Sequence, residues 1–337
     1  MNLDITTISQ IPEEKVTFLT KPYIPNGKLI LMSGDPNCGK TNLALAICAA
    51  VTTGEPLPWE TERGKVEPQS CLFQSMEDGY GDTIKPRLLR LGADLDKVYV
   101  INEGVHPLLL EDPRIERAIV QTDAKFAVFD PITSYTSGFD ISNSGAIRPV
   151  LTQLADVAAR TGCSICCICH LNKSGGKSAY RILGSIDVAA VARSVIMVAK
   201  MPDDGEISVI CHAKSNLSTP GKPYAFGFDE NGGIVWLGEV EITLDELLSG
   251  KLDKSKHQAK APSQADNAKL FITAALNNGV TAAAEIKMLA ESAGIAKNTL
   301  ERAKTALGVK SVKQGEVWRW ELPATGGELQ DTQEPQA

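Results

Sequence analysis

Residues 34–41 read GDPNCGKT, which matches the pattern G-x-x-x-x-G-K-[ST]. The stretch follows an apolar run at 28–33 and opens a helical pattern at 40–52, so it predicts a loop between a strand and a helix. Its glycines let backbone amides curl around an anion, and the helix N-terminus adds partial positive charge. We therefore predict an α/β fold with a phosphate-binding loop (P-loop).

The predicted P-loop carries two side chains with separate tasks. Lys40 has the length to reach the β- and γ-phosphates of a nucleotide, and the Thr41 hydroxyl is a ligand for Mg²⁺. We expect the side chains of Asn37 and Cys38 to point outward, which leaves the Cys38 thiol open to oxidation. The predicted nucleotide-binding residues of this stretch are Gly34, Asp35, Pro36, Asn37, Cys38, Gly39, Lys40, Thr41 and Asn42.

Carboxylates follow two other apolar strands. Asp130 ends the run KFAVFD, a usual place for a carboxylate that holds the Mg²⁺ shell, although an Asp there could also only cap the chain before Pro131. Glu77 and Asp78 end the run SCLFQSM, a strand that we expect beside the P-loop strand. Glu77 is the predicted base that deprotonates the attacking water. The alternative is that Glu77 only caps the following turn.

The stretch CSICCICH (163–170) holds four of the eight cysteines and ends in C-x-x-C-H, a haem-attachment pattern. In a strand, Cys163 and Cys169 would lie roughly 20 Å apart, too far to share one zinc ion. Cysteine also packs as a small apolar residue in buried strands. We therefore predict a central strand with neither haem nor zinc. His170 is expected to face the crevice at the strand's carboxyl end, where ligands bind in open α/β sheets.

The overall composition is that of an ordinary soluble globular protein, with 43% hydrophobic and 22% charged residues among 337. No apolar run is long enough to cross a bilayer and the N-terminus lacks a secretory pattern, so we predict a cytoplasmic protein with no membrane partner. The net charge is −7, but residues 251–321 carry 12 Lys/Arg against 7 Asp/Glu, a balance of +5. This asymmetry predicts an acidic enzymatic domain joined to a mildly basic module, unless the excess is only a solvated surface.

Apolar runs and helical patterns alternate over residues 28–242, which predicts a mainly parallel sheet with an antiparallel extension near 206–237. The predicted strands are 28–33, 70–76, 97–102, 125–130, 163–170, 193–200 and 206–214, and the predicted helices are 40–52, 83–92, 112–122 and 146–160. We divide the chain into a core at 1–249, a linker at 250–264, a small domain at 265–322 and a disordered tail at 323–337.

The small domain has the pattern of a winged helix-turn-helix. Helical patterns at 267–277, 283–292 and 298–307 precede a predicted hairpin around Trp318 and Trp320. The third helix would present Lys297 and Arg302 to a DNA major groove, with Lys313 and Arg319 on the hairpin. The alternative is a module that docks a protein partner or stabilises a ring.

The order of these parts resembles the RecA-like ATPase core over roughly 20–240, and within it the RepA-type hexameric replicative helicases of plasmids and phages. The resemblance rests on GDPNCGKT, the acidic pair in MEDGYGDTIKPRLLRLGAD, the Asp130 strand and the ending CHLNKSGG. It implies ATP and Mg²⁺ as cofactors. It also implies that Glu77 is the catalytic base, that Asp130 supports the metal and that His170 senses the γ-phosphate.

The resemblance also implies residues that act between subunits and on the base. Arg193 falls where RepA-type enzymes place the arginine finger that reaches a neighbouring subunit's ATP, and Lys214 would assist it. The alternative is an Arg paired with an acid at a strand end. Arg87 would lie over the adenine, or else belong to an ordinary helix surface.

Two loops of RecA-like cores usually contact DNA, and they correspond here to residues 133–145 and 171–184. The second is rich in Ser and Gly and carries Lys173, Lys177 and Arg181, which suits it to gripping phosphates without reading sequence. The first offers Tyr135 as a stacking group. The alternative is that both are solvated loops.

These observations predict an ATP-hydrolysing, DNA-stimulated homo-oligomer. The first hypothesis is a hexameric replicative-type helicase that acts on single-stranded or forked DNA. The second is a RecA/RadA-like recombination or repair ATPase that forms filaments. The third is a nucleotide-switched DNA-binding regulator or helicase loader, in which the winged helix is the working part.

Overall fold

A large twisted sheet forms the centre of the first of two compact units, residues 1–253 and 254–337. The computed structural model describes residues 5–104, 106–136, 138, 144–170, 186–229, 232–252, 268, 271–272, 275–276, 282–292, 295–315 and 317–321. Within the described residues, the first unit has a two-stranded hairpin and a nine-stranded sheet. The hairpin strands are β1 (Phe18–Thr20) and β2 (Ile24–Pro25).

The nine-stranded sheet joins a parallel part to an antiparallel part. Its strands are β3 (Leu29–Gly34), β4 (Ser70–Ser75), β5 (Val98–Tyr99), β6 (Ala124–Asp130), β7 (Ser164–His170), β8 (Ser194–Met201), β9 (Asp204–Ser215), β10 (Tyr224–Phe228) and β11 (Ile234–Glu239). The spatial order is β11-β10-β9-β8-β3-β7-β6-β4-β5, in which β8 to β5 are parallel and β9 to β11 continue antiparallel. This arrangement confirms the predicted α/β class with a mostly parallel sheet and an antiparallel extension.

The strand order corrects one sequence-based expectation about the Glu77 strand. Strand β4 lies beside β6, and both β7 and β6 stand between it and the P-loop strand β3. Parallel strands are joined by crossovers of a dozen or more residues, so succession along the chain does not fix which strands are neighbours. The ends of β7 and β6 therefore lie between the P-loop and the acidic pair, Glu77 and Asp78, that follows β4.

A second correction concerns the predicted strand 97–102, of which only Val98 and Tyr99 form β5. Beyond Tyr99, the Gln74 side chain forms hydrogen bonds with the backbone of Ile101. Its Oε1 accepts from the Ile101 amide at 2.7 Å, and its Nε2 donates to the Ile101 carbonyl at 3.3 Å. A buried side chain thus replaces the backbone ladder at this edge of the sheet.

Helices cover both faces of the sheet. They are α1 (Lys40–Thr53), α2 (Lys85–Arg90), α3 (Pro113–Thr122), α4 (Ser144–Thr161), α5 (Ile186–Val191) and α6 (Leu244–Ser249). Apolar residues of α1 and α2 pack with one face of the sheet, and those of α3 and α4 pack with the other. No described helix is both long enough and apolar enough to pass through a bilayer.

The cysteine-rich strand β7 follows the predicted alternation. Cys163, Cys167 and Cys169 are buried in the core cluster that contains α3 and α4, whereas Cys166 belongs to the cluster that contains α1. All eight cysteines are buried and unpaired. Burial raises the pKa of the Cys166 and Cys167 thiols well above their usual range. These residues therefore pack as small apolar side chains on both faces of a central strand, as predicted.

The second unit packs helices against a hairpin. Its elements with described bounds are α7 (Ala283–Ser292), α8 (Lys297–Ala306), β12 (Lys310–Gln314) and β13 (Val317–Glu321). Ile286, Leu300 and Trp320 are among the residues that form its core. The predicted tail 323–337 lies outside the described residues, as does the predicted linker beyond 252.

Candidate nucleotide site

The P-loop turns through two left-handed residues between β3 and α1. Asn37 has φ 62° and Gly39 has φ 90°, so the chain reverses direction before the helix begins at Lys40. A Cβ at position 39 would lie 2.9 Å from ring atoms of both Phe226 and Phe228. Position 39 therefore requires glycine both for its backbone conformation and for space.

The Lys40 ammonium group lies inside the P-loop. Its Nζ donates hydrogen bonds to the Gly34 carbonyl at 2.9 Å and to the Asp35 carbonyl at 2.7 Å, and the residue is only 5% exposed. These bonds hold the positive charge at the start of α1, where the helix N-terminus adds to it. The arrangement concentrates positive potential on one wall of the pocket.

Thr41 and Asp130 meet at the floor of the pocket. The Thr41 hydroxyl donates to Asp130 Oδ2 at 2.6 Å, and Asp130 is 4% exposed. Burial raises the pKa of Asp130, and repulsion from Glu77 and Asp78 adds to the rise, while the Thr41 hydrogen bond and Lys40 oppose it. A cation beside these two oxygens would relieve the cost of that buried charge.

The donor set suits Mg²⁺. Magnesium prefers hard oxygen ligands and is usually held by one or two protein groups together with substrate phosphates. The Thr41 hydroxyl and the Asp130 carboxylate provide two such oxygens at the pocket floor. The described residues contain no cluster of three or more His, Cys, Asp or Glu side chains placed to hold a metal. A metal bound here would therefore complete its shell with water and phosphate oxygens.

Glu77 and His170 come together at the carboxyl edge of the sheet. His170 ends β7, in register with Gly34 of β3, and its Nε2 lies 3.8 Å from Glu77 Oε1. Their side chains are 38% and 60% exposed, so solvent water reaches both. The Met76 amide donates to the Asp130 carbonyl at 3.1 Å, which anchors the segment that leads into Glu77.

Asp78 has a different partner from Glu77. Its Oδ2 accepts from Arg87 Nη1 of α2 at 2.7 Å, and its amide donates to Ser75 Oγ at 3.1 Å. The Asp78 side chain is thus held by an ion pair within the pocket wall. Of the two acids considered from sequence, the structure leaves Glu77 facing His170.

The pocket that these residues enclose has a volume of about 370 Å³. It is lined by Pro36, Asn37, Gly39, Lys40, Thr41, Asn42, Glu77, Asp78, Arg87, Asp130, His170 and Phe228. Phe228 was missed by the sequence reasoning, because it ends an antiparallel strand that no nucleotide-binding pattern includes. The only sequence signal is an aromatic residue at a strand end.

Cys38 differs from the expectation that its side chain points outward. The residue is fully buried, and its Sγ lies 3.8 Å from Lys40 Nζ. Burial raises the pKa of the Cys38 thiol more than the nearby ammonium lowers it. The loop curls over this side chain, so the predicted sensitivity to oxidation is wrong for the folded chain.

Tyr135 also differs from its predicted role as a DNA-stacking group. It is fully buried and packs edge-on against Phe129, with ring centroids 5.4 Å apart. A short helical turn after Asp130 folds Tyr135 back into the core. The predicted contacts Lys173, Lys177 and Arg181 lie outside the described residues.

Arg193 and Lys214 lie far from the pocket of their own chain. The Arg193 amide donates to the Leu29 carbonyl at the amino end of β3, five residues before Gly34, or roughly 16 Å along a strand. Among the described residues, no acid pairs with the exposed Arg193 guanidinium. Lys214 Nζ donates to the carbonyls of Ala189 and Ala192 at the end of α5. Burial, and then the Arg193 charge, lowers the pKa of Lys214.

In the second unit, the predicted DNA contacts Lys297 and Arg302 are both exposed on α8. They are five residues apart, which puts them about 140° apart around the helix axis. One flat surface would therefore not engage both side chains equally.

Comparisons with known proteins identify a family and several similar proteins. A family model described as AAA domain matches residues 3–176. The DNA repair protein RadA of Halalkalibacterium halodurans is 28% identical over 47% of this chain and 31% of its own length. RadA of Bacillus subtilis is 27% identical over 69% of this chain and 46% of its own length. The chain thus matches less than half of either repair protein. A KaiC-like protein of Pyrococcus horikoshii superposes with a TM-score of 0.48 at 18% identity, covering 67% of this chain and 100% of that chain.

Proposed function

The chain belongs to the AAA-domain family, and on that premise we propose that it is an ATPase that works on DNA as an oligomer. A nucleotide-binding P-loop domain is the shared property of the family. The ATP specificity, the hydrolysis, the oligomer and the contact with DNA are our proposal.

The observation that carries the proposal is the convergence of Lys40, Thr41, Asp130, Glu77 and His170 on one pocket. Lys40 and the loop amides bind the phosphates, and Thr41 and Asp130 hold the magnesium ion. When bound, Mg²⁺ neutralises charge that develops on the β- and γ-phosphate oxygens. Glu77, which is exposed to solvent and free of the Asp78–Arg87 ion pair, takes a proton from the attacking water.

We infer that His170 reports on the γ-phosphate. Its strand lies between the P-loop strand and the Asp130 strand, and its ring faces Glu77 at 3.8 Å. A hydrogen bond from His170 to the γ-phosphate would compete with the contact to Glu77. Loss of the phosphate after hydrolysis would then restore the contact between His170 and Glu77.

The adenine would lie at the end of the pocket away from Glu77. Strand β4, which leads to Glu77, lies on one side of β3, and strand β10, which ends in Phe228, lies on the other. A triphosphate with its γ end at Glu77 therefore directs its base toward the Phe228 ring. Arg87 would approach the nucleotide from the other side of the pocket and would have to leave Asp78 to stack on the base.

The position of Arg193 supports action between subunits. Its guanidinium is at the amino edge of the sheet, whereas the P-loop is at the carboxyl edge of its own chain. Arg193 therefore meets a nucleotide only if a second copy of the chain brings its pocket to that edge. Lys214 lies beside Arg193 and would hold the end of α5 rather than contact phosphate directly.

We propose a hexameric replicative-type helicase as the first assignment, acting on single-stranded or forked DNA. The second unit supports DNA contact, because α7, α8 and the β12–β13 hairpin follow the order of a winged helix-turn-helix. A RadA-like repair ATPase is the second candidate, favoured by the two curated relatives named for DNA repair. A nucleotide-switched regulator or loader would use the same winged helix without unwinding DNA.

Strand displacement, ATPase activity, electron micrographs and duplex binding together separate these candidates. Strand displacement on a forked duplex, lost in both Lys40→Ala and Glu77→Ala, is expected for the helicase. ATPase activity without displacement, together with filaments in electron micrographs, would instead favour the repair ATPase. Sequence-specific duplex binding without displacement, filaments or rings would favour the regulator.

Action in trans is tested by mixing two inactive proteins. Arg193→Ala and Lys40→Ala each spoil one half of the same composite site, so a mixed oligomer regains some intact sites. We expect the mixture to hydrolyse ATP faster than either variant alone. Absence of any recovery, with oligomers still formed, would contradict a finger at Arg193.

A further inference from the structure

The hairpin of the second unit carries two tryptophans with opposite exposure. Trp320 is 1% exposed and forms part of the core, whereas Trp318 is 53% exposed. The two are separated by one residue on strand β13, so their side chains leave the same face of the hairpin. The face that covers the core at Trp320 therefore continues into solvent as an uncovered indole at Trp318.

Lysines accompany this indole. Lys313 is directly opposite Trp318 in the antiparallel pairing, and Ser311 is opposite Trp320. Lys304 of α8 donates to Ser311 Oγ at 2.7 Å and lies 4.6 Å above the Trp320 ring. Lys304 of α8 thus lies over the buried Trp320, and Lys313 of the hairpin lies beside the exposed Trp318.

The cationic row extends along α8. Lys297 and Lys304 are seven residues apart, which places them about 20° apart around the helix axis and on one stripe. The acid on that stripe, Glu301, forms an ion pair with Lys287 at 3.0 Å. Lys297 and Lys304 are therefore positive charges on one stripe of α8, and Lys304 reaches the hairpin that carries Trp318 and Lys313.

We propose that Trp318 stacks on an unpaired nucleic-acid base while Lys313 contacts the adjoining phosphate. A planar aromatic ring among cations is the composition of surfaces that bind single strands, because every base has a π-face and every nucleotide has a charge. Cores of protein–protein interfaces are instead depleted in lysine. Lys304 and Lys297 would then extend the backbone contact along α8. The inference rests on the proposed contact of this unit with DNA. It adds that Trp318 makes the contact and that the bound nucleic acid is single-stranded.

The test uses the full-length chain and a fluorescein-labelled oligothymidine without nucleotide. Loss of one base stack corresponds to about 5- to 150-fold weaker binding, which we expect for Trp318→Ala. Trp318→Phe keeps a ring and should retain most of the affinity. Val317→Ala is the matched control. Val317 precedes Trp318 in the chain and is 46% exposed, but its side chain is on the face of the hairpin opposite to Trp318.

A second readout comes from tryptophan fluorescence. Stacking of a base should quench the emission of the wild-type chain, and most of that quenching should vanish in Trp318→Phe. Blunt duplex of the same length should quench less than the single strand, since its bases are already stacked. Because Trp318 is outside the core, Trp318→Ala should unfold within about 2 °C of the wild type, as expected for a surface substitution.

Three results would refute stacking of an unpaired base on Trp318. If Trp318→Ala binds the oligonucleotide as tightly as the wild type, or if Val317→Ala weakens it equally, the stacking site is wrong. Quenching by duplex as strong as by single strand would also overturn the unpaired-base assignment. ATPase activity without DNA is measured in parallel. Its absence from the wild type would refute the proposed ATPase while leaving the binding comparison intact.

Discussion

Thr41 Oγ1 donates a 2.6 Å hydrogen bond to Asp130 Oδ2, although the two residues are 89 positions apart in the chain. The bond joins the first turn of α1 to the end of β6, two strands away from the P-loop strand. It brings two hard oxygen ligands together at the floor of the pocket. The buried Asp130 carboxylate is thus poised to share its charge with a cation.

The Thr41–Asp130 pair predicts that Asp130→Asn weakens magnesium-dependent nucleotide binding. Removal of the carboxylate charge should lower the apparent Mg²⁺ affinity by about 10- to 100-fold, the usual effect of losing a group that supports a metal. A magnesium titration with a fluorescent ATP analogue measures the change. Asp78→Asn is the control, because Asp78 lines the same pocket but pairs with Arg87. Equal magnesium dependence in Asp130→Asn and the wild type would contradict the proposed metal position.

Because Phe228 lines the pocket, we expect its replacement to weaken the binding of ligands that carry a base. An aromatic contact is worth about 0.5–1.5 kcal/mol beyond area burial, so Phe228→Ala should raise the Kd for ATP by about 2- to 10-fold. Binding of inorganic tripolyphosphate, which has no base, should be unchanged. Isothermal titration with both ligands gives the comparison. A variant that loses affinity for both ligands alike would show that Phe228 only supports the P-loop through its contact with Gly39.

Because all eight cysteines are buried, we expect their thiols not to react with a thiol reagent while the chain is folded. Since every thiol is buried, a thiol reagent such as Ellman's reagent should label fewer than about one site per chain under native conditions. Unfolding in urea should then release all eight thiols counted in the sequence. A single fast-reacting thiol that disappears in Cys38→Ala would mean that the P-loop opens readily and exposes Cys38.

His212 predicts a loss of stability between pH 6.5 and pH 4. Its Nδ1 accepts the Gly221 amide at 3.0 Å and its Nε2 lies 2.9 Å from Ser194 Oγ, so the ring is neutral. Burial lowers the pKa of His212 to about 4 from its usual value of 6.5. The unfolded chain therefore binds the proton first, and the stabilisation is present above pH 6.5 and lost as the pH falls toward 4.

The size of this effect is about 3 kcal/mol over the whole window, from the difference between the two pKa values. Urea unfolding at pH 7.0, 5.5 and 4.5 measures it, with His212→Gln as a variant that does not titrate. We expect the wild type to lose about 2 to 3 kcal/mol more than the variant by pH 4.5. Parallel pH dependence in the two proteins would show that another group controls acid unfolding.

The fold was largely predictable because periodicity and the P-loop pattern are local signals. Helix α1, the buried strand β6 and the alternating cysteines of β7 follow directly from the order of apolar residues along the chain. The spatial order of the parallel strands was not predictable in this way, because every buried strand has the same apolar pattern. The expected adjacency of the Glu77 strand and the P-loop strand was wrong for that reason.

The misassigned side chains share a physical cause as well. Cys38 and Tyr135 both follow strands at the ligand edge of the sheet, where side chains are commonly exposed. Each is turned inward by a tight local bend, the left-handed Asn37 before Cys38 and the helical turn that contains Tyr135. Phe228 was missed because its proximity to Gly39 joins residues that are far apart in the chain, which no local pattern indicates.

The central claim is that Glu77 activates water for ATP cleavage at this pocket. Single-turnover cleavage of radiolabelled ATP by Glu77→Gln, with Asp78→Asn as the neighbouring control, tests it most directly. We expect Glu77→Gln to bind Mg·ATP as the wild type does but to cleave it about 10²- to 10⁴-fold more slowly, the usual contribution of a general base. Cleavage at the wild-type rate by Glu77→Gln, or an equal loss in Asp78→Asn, would contradict it.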